Sequence, residues 1–198
     1  MEIPARQAAS AAAICMVVTV ITQVGYMALP AIGIEVNSKI VWTIEAVAFL
    51  GIGVFALVAM ARQAGPALAW SAIAIGGILN VIQVGMGLAM FGPVKDAGEA
   101  MLPAFQAIIA GAFFFYFTGK FLFGIAGIVL GAALMKGPIA AQILGALAIL
   151  SGLAAVALNL GAMAIGMDLL IPAGAAGTAA ALFAALAILV TRRQSIVS

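Results

Sequence analysis

Apolar residues run along this chain in stretches too continuous for the alternation of a strand or the one-sided stripe of a soluble helix. Six such stretches lie between charges or Gly/Pro breaks, at about Ala9–Pro30, Ile40–Met60, Leu68–Phe91, Pro103–Met135, Ile139–Gly166 and Leu170–Val190. Each holds the roughly 20 apolar residues needed to cross a hydrocarbon core. The breaks are marked by Arg62-Gln63-Ala64-Gly65-Pro66, by Gly92-Pro93 at the end of the third stretch, by Lys136-Gly137-Pro138, and by Pro172 near the start of the sixth. Connections this short predict antiparallel hairpins between sequence neighbours. The expected fold is therefore an all-α integral membrane protein, one transmembrane helical domain over residues 1–198, built as a bundle of six helices. The Ala-rich first stretch is too long for a secretory signal, and Ala28-Leu29-Pro30 is a poor cleavage site, so it is read as a retained helix.

The fourth stretch admits a second reading. As one straight helix, Pro103–Met135 would measure about 50 Å, against a core of about 30 Å. A break at Thr118-Gly119-Lys120 would make seven spans. It would also put Arg192 and Arg193 on the outer side and spoil the charge asymmetry of the loops. With six spans one side collects Arg6, Arg62, Lys136, Arg192 and Arg193, and the other only Lys39 and Lys95. Six spans are preferred, with both termini in the cytoplasm. Helical spans with this bias suit a plasma membrane of the bacterial inner-membrane kind, since outer membranes hold β-barrels.

Composition narrows the chemistry. Charged residues make up 7% of the chain and hydrophobic ones 67%, against roughly 25% charged in soluble domains. The main partner is therefore the lipid bilayer. Eight scattered Lys and Arg cannot form a phosphate-tracking stripe, which excludes a nucleic-acid partner. The chain has no histidine and one cysteine, so histidine-ligated metals, Ser-His-Asp chemistry and dithiol redox pairs are not expected. No Gly-rich phosphate loop, nucleophile–base pair or carboxylate cluster appears, so no metal, cofactor or catalytic residue is assigned and an enzyme is not favoured.

Polar residues at membrane depth carry what functional signal there is. An ionisable side chain there is costly and marks a site or a buried pair. Glu45 falls about 10 Å inside the second span, and Lys120 near the middle of the fourth, too deep to snorkel out. The two are expected to face the interior and to pair, directly or through water or a ligand. Amides gather at similar depth: Gln23, Gln83, Gln106 and Asn159 in the outer half, and Asn80 near the middle. They could satisfy one another or line a cavity open to the outside. Gln23-Val24-Gly25, Gln83-Val84-Gly85 and Asn159-Leu160-Gly161 repeat one pattern on odd-numbered helices, a hint of a repeated hairpin. Gly124, Gly127 and Gly131, with Gly145 and Gly152, read as close-packing faces. Trp42 and Trp70 read as interface anchors.

Two functions follow. In the first, an outward-facing polar cavity around Glu45, Lys120, Asn80 and Gln83 binds or passes a small polar solute, ion or proton. Gln23, Gln106 and Asn159 would supply further hydrogen bonds. In the alternative, the chain is a non-catalytic accessory subunit that packs in a homo-oligomer or a larger membrane complex.

Overall fold

The computed structural model describes residues 2–194, and side chains as far as Thr191; Arg192 and Arg193, counted in the loop charges, lie outside the described side chains. The described chain is helical throughout, with no strands. The helices are α1 (Ala5–Ala31), α2 (Ser38–Ala61), α3 (Ala67–Met86), the short α4 (Gly92–Asp96), α5 (Leu102–Leu134), α6 (Ile139–Ile165) and α7 (Leu170–Gln194). Five helical stretches are long and apolar enough to cross a membrane, the last of them Ile139–Thr191. That stretch contains a 3₁₀ turn at Gly166–Leu169, with Gly166 at φ +84°, where α6 ends and α7 begins. The two helices then pack on each other.

Local chemistry sets the ends of these helices. α1 closes in a Schellman motif: Ile34 N–H donates to Leu29 O at 3.0 Å and Gly33 N–H to Pro30 O at 3.1 Å. Gly33 sits at φ +79° with open space around it. Its conformation, and not crowding, therefore calls for glycine. Asn37 then caps α2 by accepting from the N–H groups of Lys39 and Ile40.

One expectation changes here. Gly92-Pro93 does not end the third span. The helix passes from α3 through a π-helical turn at Gly87–Phe91 into α4, and stops at Gly98, φ +90°. Pro93 directly follows the π turn, the kind of local adjustment by which a membrane helix carries a proline. The fourth span stays one helix, as preferred from the loop charges: α5 runs unbroken for 33 residues through Thr118-Gly119-Lys120. Gly119 is used there for close approach to α3, not for a bend.

α1, α2, α3, α5 and α7 form a closed ring, and α6 packs outside it on α5 and α7. α5 is the hub, touching α3, α6 and α7. Without a hydrophobic drive between helices in lipid, backbone proximity supplies the cohesion. Gly124 and Gly131 of α5 meet Gly152 and Gly145 of α6 in pairs so close that an added Cβ would fall 2.6–2.8 Å from the facing carbonyl. Gly127 packs between Ala148 and Ala180, inside the bundle and not on an outer face. Gly77 of α3 meets Gly53 and Phe49 of α2 with similar closeness. Trp70 is 1% exposed, so it belongs to the core and not to an interfacial belt.

Gly152→Ala should destabilise the bundle by about 1–3 kcal/mol, because the neighbour that must yield is backbone. Gly85 has open space where its Cβ would lie, and Gly85→Ala should gain up to about 1 kcal/mol from helix propensity. Unfolding in a mixed-detergent titration reads both.

Candidate functional site

The polar groups of the interior converge on α1. Thr22 and Gln23 are consecutive there, so their side chains leave the helix about 100° apart. Thr22 turns to α2 and Gln23 into the ring. α1 and α5 do not pack backbone against backbone among the described residues. Lys120 of α5 spans the gap. Its Nζ donates to Gln23 Oε1 at 2.6 Å and to Thr178 Oγ1 of α7 at 3.3 Å, and Thr178 Oγ1 itself donates to Gln23 Oε1 at 2.8 Å. The ammonium also lies 5.3 Å from the centroid of the Tyr116 ring, one turn back along α5.

The ammonium is 0% exposed, so these partners replace all of its water. Room for it comes from α7, whose Gly177 lies against the lysine stem and whose Gly174 lies against the Tyr116 hydroxyl. Any side chain at Gly177 would displace Lys120.

Glu45 of α2, also buried, accepts a hydrogen bond from Thr22 Oγ1 at 3.0 Å. That hydroxyl also reaches Thr19 O at 3.0 Å. Of the two ways in which Glu45 and Lys120 were expected to pair, directly or through water or a ligand, the direct one is not made. The ion pair found among the described residues is Arg62–Glu2, at 3.0 Å on the surface. Glu45 and Lys120 each reach one of two consecutive residues of α1 instead, Glu45 to Thr22 and Lys120 to Gln23, and each charge is held by neutral dipoles.

The amides divide. Asn80 and Asn159 are fully buried and turn back on their own helices, donating to Gly76 O and Ala155 O, each at 2.8 Å. Asn159 also donates to Ala173 O at 3.1 Å, which fastens α6 to α7. Each keeps an unpartnered buried Oδ1. Asn80 presses on Gly119, where the α3 and α5 backbones meet. Gln83 is half-buried and Gln106 exposed, and neither joins the cluster. Among the described residues no side-chain amide bonds to another. The three similar segments thus place Gln23, Gln83 and Asn159 in three different roles.

A pocket of about 370 Å³ opens at the C-terminal end of α1, lined by Tyr26, Pro30, Gly33, Ile34, Glu35 and Val36. Tyr26 lies one turn nearer that end than Thr22 and Gln23. Its ring is 6.3 Å from that of Trp42, which stands one turn from Glu45 at the same end of the bundle. Trp42 continues to Phe91 and Phe91 to Phe105, each at 5.8 Å, and lies over Gly87 of the π turn. Lys120, Asn80 and Asn159, at 0% exposed, do not line an open cavity.

Thr22, Tyr116 and Thr178 were not among the residues expected at the site. Thr178 is the one hydroxyl within the apolar body of α7 and follows Gly174 and Gly177 on one face, a signal that sequence spacing did contain. Thr22 stands three residues after Thr19 and four before Tyr26, on one face of α1.

Stripping the ammonium of its shortest acceptor should cost more than removing the ammonium. Gln23→Leu should destabilise by about 3–5 kcal/mol, whereas Lys120→Met, which keeps the stem, should lie between neutral and stabilising. In the double variant most of the Gln23→Leu cost should disappear, a coupling that a double-mutant cycle in detergent unfolding measures. In comparisons with family models, with curated proteins and with solved structures, nothing matches this chain.

Proposed function

We propose that this chain is a small helical membrane protein whose buried polar cluster binds or passes a small polar solute, an ion or a proton. It crosses a plasma membrane of the bacterial inner-membrane kind six times, with both termini cytoplasmic. The site comprises Glu45 with Thr22, and Lys120 with Gln23 and Thr178. Asn80 and Asn159 act as packing amides beside it.

The observation that carries this reading is the separation of the two charges. A purely structural pair gains most from direct contact and full mutual hydrogen bonding. Here Lys120 is held by an amide and a hydroxyl, and Glu45 by a hydroxyl. Glu45 therefore retains a charge that a cation or a proton can compensate, and Lys120 one that an anion can. Intramembrane ionisable groups placed like this mark transport pathways and relays. Glu45 serves as the titratable, cation-facing group, and Lys120 as the positive charge that bounds the site on its inner side.

The closure of Lys120, Asn80 and Asn159 favours a second reading, an accessory subunit whose polar groups are spent on bracing its own bundle. Its outward contacts would then be made by exposed rings such as Phe114, 51% exposed. The two readings part at Glu45. In proteoliposomes carrying an internal pH or solute indicator, Glu45→Gln should lower flux by at least about tenfold, the size expected when a relay group is lost, while the helical signal and unfolding midpoint stay near wild type. Wild-type flux in that variant, or no flux above empty vesicles in the parent, contradicts the transport reading and leaves the accessory one.

A further inference from the structure

We infer that the solute is a small organic ammonium cation, received in the pocket at the outer end of α1 and drawn toward Glu45 along the α1–α2 interface. This rests on the reading of Glu45 as a cation-facing group and names the class of ligand it takes. Four groups along that interface suit such a cation. Glu35 presents an exposed carboxylate to the pocket, with no ion pair among the described residues. Tyr26 lines the same pocket, and its ring adjoins Trp42. One turn further in, the Glu45 carboxylate is held by a single hydroxyl.

Carboxylates attract cations of every kind; the rings make the choice. Aromatic faces bind alkylated ammonium groups well, because these shed water cheaply and offer methyl and methylene surface. A hard metal ion would want several oxygen ligands instead, and no group of three or more His, Cys, Asp or Glu side chains comes together among the described residues. A pocket of about 370 Å³ is in the range for a small molecule. Anions are disfavoured at the mouth by Glu35. Beyond Gln23 the buried ammonium of Lys120 repels any cation, so the attractive stretch ends at Glu45.

The test uses purified protein in detergent micelles at fixed ionic strength, titrated with tetramethylammonium, ethylammonium or sodium. Binding is read by calorimetry and by tryptophan emission, in which buried Trp70 gives a constant background and Trp42 the response. Both ammonium ions should bind saturably and sodium should not. Glu35→Gln and Tyr26→Leu, which alter groups at the pocket and leave the buried cluster intact, should each weaken binding about two- to fivefold. Ammonium titrations that overlay sodium, or variants that bind as wild type does, overturn the assignment. Loss of flux in Glu45→Gln without ammonium binding overturns this inference alone. Ammonium binding with unchanged flux in Glu45→Gln leaves the pocket standing and removes the transport reading.

Discussion

An ammonium group with no access to water must find its hydration shell in the protein, and the placement of α1 follows from where Lys120 finds it. The lysine stands on α5, the hub helix, yet its acceptors lie on α1 and α7. α1 and α5 stay too far apart for backbone packing, so a side chain of lysine's length is what joins them. Burying a charge costs several kcal/mol even after relaxation. The cost is met by two oxygens and one aromatic face arranged around Nζ. Because Thr178 also donates to Gln23, the three polar groups close a ring in which each bond polarises the next. α1 is thereby fixed against α7, and Thr22, one residue before Gln23, is fixed toward Glu45.

Small residues make the rest of this geometry available. Gly177 leaves space for the lysine stem, Gly174 for the Tyr116 hydroxyl, and Gly119 for Asn80. The Gly124–Gly152 and Gly131–Gly145 contacts hold α6 against α5, and Asn159 ties α6 to α7. α6 thus buttresses the two helices that carry Lys120 and Thr178. A polar cluster at this depth needs such a frame, since a shift of about an ångström would leave the ammonium short of an acceptor. Toward the C-terminal end of α1 the frame changes character. Glycine contacts give way to edge-on rings and a π turn, in which Gly87 accommodates the face of Trp42. π turns recur at functional positions in helices.

Much of this was legible in the chain. Uninterrupted apolar stretches announce membrane helices, and the glycines of α5 and α6 announce the crossing that they make. Depth marked Glu45 and Lys120, and Gln23 stood on the right face of α1. What could not be read was azimuth between helices. Nothing local says that Glu45 and Lys120 bond to consecutive residues of α1 and not to each other, because that depends on how five helices close a ring. The same ignorance made Gln83 and Gln106 look equivalent to Gln23. It also put Trp70 at an interface, although it packs within the core. Gly92-Pro93 misled for a different reason: a π turn placed just before the proline lets a membrane helix pass through it.

The burial of the Lys120 ammonium among Gln23, Thr178 and Tyr116 is the claim from which the rest descends, and its protons report on it directly. In protein labelled with ¹⁵N-lysine, Lys39, Lys95 and Lys136 are exposed, so their ammonium protons should exchange with water too fast to observe. Lys120 should give a slowly exchanging signal that weakens or shifts when Gln23 or Thr178 is replaced and is absent in Lys120→Met. A Lys120 ammonium that exchanges as fast as the other three, or one indifferent to Gln23 and Thr178, would contradict the account.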